Sequence, residues 1–314
     1  MEHYFAPMEG LTDPIYRKLH FQFFPGLDRY YTPFLSPTVH RSLTPKEQKE
    51  LPPADQVPYP VVPQILTKVP EDLLWLAQVC KDLGYREVNL NLGCPSGTVT
   101  AKGKGSGMLR DPDALDRFLD EIYAKAPLPI SVKTRLGFHD PEEFGAILEI
   151  YNRYPICQLT VHPRVREAFY KGKVQLEQFD LAAREAKMPL CYNGDLYSVA
   201  DIAALRAKYP QVKAVMLGRG LIGDPGMLTP GGTDKAALEG FTQALFEAYT
   251  EAFGGVRNAM FRMKENWRYL SCRFEGSERL YKKLRKTTDA AQYRALTAEF
   301  FATLPLKPAL DPDW

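Results

Sequence analysis

Between Tyr4 and Leu217 the chain alternates two patterns. Short apolar runs rich in β-branched and aromatic residues predict strands near residues 4–8, 29–34, 61–66, 87–92, 130–134, 158–162, 190–193 and 214–217. Stretches with apolar residues at three- to four-residue spacing predict helices over 70–83, 112–124, 141–154, 179–186 and 198–209. Asp111-Pro112 and Asp140-Pro141 each place a capping acid before a proline suited to the first helical turn, and Gly84 sits where a helix ending near Leu83 needs a C-terminal cap. Residues 40–60 are polar and proline-rich and read as a long loop. Strand–helix alternation implies parallel strands with crossover helices, and eight such strands fit a closed (β/α)8 TIM barrel. An open doubly wound sheet is the competing layout.

After Leu228 a Thr-Pro-Gly-Gly-Thr stretch reads as a linker, and the pattern becomes purely helical over 235–253, 256–272, 277–286 and 290–304. In the second of these, Val256, Met260, Met263, Trp267 and Leu270 form an apolar seam, with Arg257, Lys264 and Arg268 each one residue beyond a seam position. The expected organisation is an α/β catalytic barrel over 1–230 and a small all-helical C-terminal domain over 235–314.

Composition adds little until charge is mapped. The 314 residues carry a formal net charge of only +2. Ten basic against three acidic residues between Gly255 and Lys286 give that segment +7 and leave −5 for the rest. Positive charge gathered in one place suits a polyanion partner. No apolar run approaches the ~18 residues a membrane helix needs, and the first residues lack a basic-then-apolar leader pattern. The five cysteines are widely spaced with no C-x-x-C pair, so neither a metal site nor a disulfide framework is expected. A reduced, cytoplasmic protein follows, and nothing demands more than a monomer.

A barrel of this kind builds its site from the loops at the C-terminal strand ends. Those ends carry Pro7 and Met8, Gln64, Asn91 and Cys94, Lys133 and Arg135, His162 and Arg164, Asn193-Gly194-Asp195, and Gly218-Arg219-Gly220. The last two loops suit a phosphate, since glycines allow close backbone approach and Arg219 adds charge. An inward lysine at 133 is costly unless an anion or an electron-rich ring edge meets it. Cys94 stands before a loop holding Gly97, Gly103, Gly105 and Gly107. That position suits chemistry, although a free cysteine is commonly a small packing residue.

In order and spacing, APMEGLTD, Gln64, NLNLGCPSGTVTAKGKGSGML, SVKTRLGF, VHPR, NGD and VMLGRG resemble the tRNA-dihydrouridine synthases from Ala6 to about Gly226. Pro163 after His162 and the Ser106-Gly107 pair depart mildly from the usual pattern. The resemblance implies an FMN barrel that uses NADPH to reduce the C5–C6 bond of a uridine in tRNA. It implies Cys94 as the acid that protonates C5. It also implies FMN contacts from Pro7, Met8, Gln64, Lys133, His162, Asn193, Gly194, Asp195, Gly218 and Arg219. Asn91, Arg135 and Arg164 are expected at the uridine. Arg257, Lys264, Arg268, Lys282, Lys283 and Lys286 are expected along the tRNA, with no membrane and no metal involved. A flavin barrel acting on a small pyrimidine, of dihydroorotate type, and a noncatalytic RNA-binding protein remain as alternatives.

Overall fold

The structure, a computed structural model, describes residues 1–312. Asp313 and Trp314, at the end of the expected helical domain, lie outside the described residues. Every expected strand forms: β1 Glu2–Phe5, β2 Arg29–Tyr31, β3 Val61–Val62 with β4 Gln64–Ile65, β5 Val88–Leu92, β6 Ile130–Arg135, β7 Leu159–His162, β8 Leu190–Tyr192 and β9 Ala214–Leu217. Their order is β3-β2-β1-β9-β8-β7-β6-β5-β4, and every recorded pairing is parallel. The expected run 61–66 is split because Pro63 has no N–H to give the ladder. Its first half pairs with β2 (Tyr31↔Val62) and its second with β5 (Ile65↔Leu90). One stretch of chain thus carries both ends of the sheet, which closes it into the expected barrel rather than leaving it doubly wound.

The helices are α1 Pro14–Phe23, α2 Pro45–Glu50, α3 Pro70–Asp82, α4 Gly97–Thr100, α5 Pro112–Lys125, α6 Glu143–Tyr151, α7 Leu176–Glu185, α8 Val199–Lys208, α9 Arg219–Gly223, α10 Lys235–Ala252, α11 Val256–Leu270, α12 Glu278–Lys286 and α13 Ala290–Thr303. Two caps behave as expected: Asp111 accepts from the Ala114 N–H at 2.9 Å, and Gly84 follows α3 with φ +88°. Asp140-Pro141 does not open a helix. The Glu143 carboxylate takes the amides of Phe138, His139 and Asp140, which holds that stretch as a turn and delays α6 to residue 143. The expected loop 40–60 contains α2, whose Thr44 and Glu47 form a reciprocal capping box. Of the expected seam, Met260, Met263, Trp267 and Leu270 are buried, but Val256 at the frayed start of α11 is 40% exposed.

The chain divides into two compact units. One comprises Met1–Pro7, Asp28–Asp195 and Leu205–Met216, which includes most of the barrel. The other comprises Met8–Leu27, Leu196–Ala204 and the chain from Leu217 onward. The second unit therefore includes α1 as well as the C-terminal helices. Within it Phe241 of α10 sits edge-on to Tyr16 at 5.4 Å and to Phe24 at 5.1 Å.

Candidate active site

The barrel register aligns Asn91, Lys133, Thr160 and Cys191 on four adjacent strands, with Gln64, Asn89 and Ser131 one step below. Paired residues share a face, so these polar side chains point together into the barrel. They form a chain of amides: Asn91 Nδ2 donates to Gln64 Oε1 (2.7 Å), Gln64 Nε2 to Asn89 Oδ1 (2.8 Å), and Asn89 Nδ2 to Ser131 Oγ (2.9 Å). Asn91 Oδ1 accepts from the N–H groups of Gly93 (3.0 Å) and Cys94 (2.8 Å). Its carbonyl is thereby occupied, and the remaining Nδ2 hydrogen makes Asn91 a donor toward a ligand. Asn89 and Ser131 had no place among the expected site residues, although the period-two polar pattern N-L-N and S-V-K carries them.

The half-buried Cys94 is pinned at both ends of its backbone. Its carbonyl accepts from Ser106 N (3.2 Å) and Ser106 Oγ (2.8 Å). Gly105 has φ +58°, and a Cβ there would stand 2.9 Å from the Cys94 carbonyl oxygen. Only glycine lets the loop fold back this closely over the cysteine.

Arg135 is 1% exposed. Its Nε donates to the Gly93 carbonyl (2.8 Å), and one Nη to the carbonyls of Val165 (3.0 Å) and Phe169 (2.7 Å). Through Nε and this Nη, Arg135 ties the Cys94 segment to the loop after β7. Arg164 is 2% exposed. It pairs through both Nη groups with Asp195, donates to the carbonyls of Gly172 (2.6 Å) and Lys171 (3.3 Å), and lies 3.0 Å from His162 Nε2. A guanidinium only donates, so His162 Nε2 accepts and the ring proton belongs on Nδ1. Asp195 is in turn engaged by Arg164.

Lys133 is half-buried, and its ammonium has no hydrogen-bond or ion-pair partner among the described residues. Burial first, then the neighbouring Arg135 charge, push its pKa down to about 8, while Cys191 and Cys94 pull the other way. A cation in that position fits an electron-rich ring edge. Asn193 Nδ2 donates to the Met216 carbonyl (2.8 Å) and fixes the end of β8 against β9. Gly194 runs so close over Tyr192 that a Cβ would fall 2.3 Å from the phenol oxygen. In the other unit, Met8 N donates to Thr12 Oγ1 (2.8 Å), and an Arg219 Nη donates to the Tyr197 hydroxyl (3.1 Å). Gly218-Arg219 follows directly on β9, and Pro7-Met8 stands one residue beyond β1.

Tyr170 was not among the expected residues. It is 54% exposed, its ring lies 6.1 Å from His162 in a near-parallel arrangement, and the Arg135 guanidinium is 5.3 Å from its centroid. Its signal in the sequence is only an aromatic pair set among the basic residues of Arg-Glu-Ala-Phe-Tyr-Lys-Gly-Lys.

The family model for "Dihydrouridine synthase (Dus)" matches residues 4–303. The chain belongs to the dihydrouridine synthase family. It is similar to tRNA-dihydrouridine synthase B of Pasteurella multocida, 27% identical across 71% of this chain and 66% of that protein. A probable tRNA-dihydrouridine synthase 1 of Synechocystis is 31% identical across 70% of this chain and 61% of that protein. The chain thus spans about two thirds or less of the length of these two relatives. The tRNA-dihydrouridine(16) synthase of Neisseria meningitidis is 25% identical across 94% of this chain and 93% of that protein. In fold alone, the chain resembles morphinone reductase, with a TM-score of 0.50 at 12% identity over 75% of this chain and 88% of that one.

On the helices of the second unit, Arg257, Arg268, Lys282, Lys283 and Lys286 are exposed. Lys264 is half-buried with its ammonium on the Thr287 carbonyl at the end of α12, and burial lowers its pKa. Among the described residues no cluster of metal-binding side chains occurs, and no helix is long and apolar enough to cross a membrane.

Proposed function

We propose that this protein reduces the C5–C6 double bond of a uridine in the D-loop of tRNA, using FMN and NADPH. The observation that carries the reading is the family match across residues 4–303, and the unpartnered Lys133 cation beside the held Cys94 supports it. When bound, reduced FMN supplies the hydride that goes to uracil C6. Lys133 holds the electron-rich edge of the flavin ring, His162 donates to it from Nδ1, and Gln64 contributes its remaining amide hydrogen. Pro7 and Met8 face the ring. Asn193, Gly194, Gly218 and Arg219 hold the phosphate end, with Asp195 acting through Arg164.

Cys94 gives a proton to C5, so hydride and proton together saturate the bond. Asn91 donates its remaining amide hydrogen to a uracil carbonyl, and Tyr170 offers a flat face for the base. The target base must leave its stack to reach the pocket. Arg257, Arg268, Lys282, Lys283 and Lys286 hold the surrounding phosphates. Residues 1–230 are then the FMN-binding catalytic part and 235–314 the tRNA-binding part of a cytoplasmic, monomeric enzyme. Uridine 16 is the favoured target, because the Neisseria relative named for that position aligns through the helical tail as well.

The test is Cys94→Ala. The variant should keep bound flavin and NADPH oxidation and lose most dihydrouridine formation on tRNA. Normal tRNA turnover by it would refute the proton assignment. Mapping dihydrouridine in tRNA from a deletion strain, with and without this gene restored, tests the target position.

A further inference from the structure

The loop between β7 and α7 holds an unusual aromatic. Phe169 is 40% exposed and has φ +50°. A bulky L residue takes that left-handed conformation only where its surroundings impose it. Here they do so from both sides. Its N–H donates to the Arg166 carbonyl (3.1 Å), and its carbonyl accepts from Arg135 (2.7 Å). The same guanidinium holds the Gly93 carbonyl (2.8 Å), so one side chain fixes Phe169 to the segment that bears Cys94.

The ring itself ends a ladder of alternating cations and aromatics. The Arg110 guanidinium lies 3.7 Å from the Phe138 ring centroid. Arg166 lies 5.2 Å from that ring and 4.8 Å from the ring of Phe169. Arg166 is tied in turn to Thr100 Oγ1 in α4 at 3.2 Å. This buttress holds a partly exposed ring at the end of the ladder, and the next residue, Tyr170, stacks on His162. Exposed Lys171 and Lys173 follow.

We propose that Phe169 is a stacking platform for the RNA base adjacent to the flipped uridine. The inference rests on the tRNA reading above. Extruding one base strips its neighbours of a stacking partner, and an aromatic face restores that contact for any base. A loop built only to pack would turn the ring inward. This one strains its backbone, anchors it to the Cys94 segment and backs the ring with a cation. Lysines two and four residues beyond Phe169 suit the flanking phosphates.

The experiment uses flavin-loaded full-length enzyme and a tRNA carrying 2-aminopurine beside the target uridine. Binding to the unaltered enzyme should quench the probe. In Phe169→Ala the quench should be lost and kcat/KM for tRNA should fall by about 10- to 100-fold, with NADPH oxidation in the absence of tRNA unchanged. Phe169→Trp should restore both. Phe169→Leu, which keeps bulk without an aromatic face, should not restore the quench. Unaltered quench and turnover in Phe169→Ala would overturn the platform while leaving the tRNA reading intact. A quench in the leucine variant equal to that of the unaltered enzyme would assign the residue to loop packing and also overturn the platform. Failure of the unaltered enzyme to make dihydrouridine would overturn both readings.

Discussion

Two neighbouring cations on β6 show how a single residue can serve function against stability. Lys133 has a pKa of about 8 in place of 10.5, chiefly through burial. Below pH 8 the native and unfolded chains both carry the proton, so the cost is constant. Between pH 8 and 10.5 the unfolded chain holds a proton that the native one lacks, so the stability of flavin-free protein should rise with pH. Lys133→Met should remove that rise and stabilise flavin-free protein at pH 7 by about 1–2 kcal/mol, allowing for partial solvent screening. The same variant should lose most of its flavin affinity, and affinity in the unaltered protein should weaken above pH 8 as the ammonium discharges. Thermal midpoints and flavin titrations across pH 7–10 check both; a Lys133→Met protein that binds flavin normally would remove this lysine from the cofactor site. Arg135 offers the complementary case. Arg135→Met leaves the carbonyls of Gly93, Val165 and Phe169 without this donor and should cost roughly 2–4 kcal/mol. It also removes a positive neighbour, so Lys133 should titrate higher in that variant. Dihydrouridine formation should fall while flavin stays bound, because what is lost is the anchoring of the Cys94 segment. Lys133 and Arg135 were both visible in the sequence as polar residues closing an apolar run. The direction in which each points was visible, but Arg135's partners, Gly93 at 42 residues back and Val165 and Phe169 at 30 and 34 further on in a loop without periodicity, were not.

Elements are legible where local chemistry decides them. The Asp-Pro signature starts α5 because Asp111 accepts from the amide three residues on, whereas Asp140 accepts from Glu142 N only two residues on (2.9 Å) and Glu143 folds back onto the amides of residues 138–140, so the stretch stays a turn. The same signature at Asp13-Pro14 does open a helix: Asp13 accepts from Tyr16 N at 3.0 Å, and α1 follows. That helix also explains an acid sensitivity. His20 on α1 is 1% exposed among Tyr16, Phe24 and Phe241, and burial lowers its pKa from 6.5 to about 3. Its folded-state pKa lies below the unfolded value, so the native ring stays neutral. Its contribution is fully present above pH 6.5 and is lost as pH falls toward 3, at about 1.4 kcal/mol per pH unit near pH 5. His20→Gln removes the titrating group and can keep the link to the Pro225 backbone. The drop in urea midpoint between pH 7 and pH 5 should then shrink. An undiminished drop in the variant would place the acid sensitivity elsewhere.

At the scale of the whole molecule, the barrel was legible because alternation is a local pattern repeated eight times, and closure needed only the break at Pro63. The grouping of α1 with the C-terminal helices was not, since it depends on contacts between residues more than 200 positions apart, such as Tyr16 with Phe241. Charge lies between these cases. The +7 of residues 255–286 is plain in the sequence, yet the sequence cannot say which of those cations face water and which brace the helices. The structure separates them: Lys264 sits on the Thr287 carbonyl, Arg273 pairs with Asp224 at 3.1 Å, and Arg262 reaches the Gly10 carbonyl. Arg268, Lys282 and Lys283 are exposed. Only exposed cations can exchange counterions for phosphates, so the two groups should respond differently to salt. Each phosphate contact removed should lower the slope of log affinity against log salt by about 0.7–0.9. Replacing Arg268, Lys282 and Lys283 together by alanine should therefore flatten that slope by about 2–3 and weaken tRNA binding at low salt, with little change in thermal midpoint. Lys264→Ala should do the reverse, leaving the slope unchanged and lowering the midpoint, because it uncaps the end of α12. If the triple variant kept the full slope, the tRNA surface would have to be sought away from these helices.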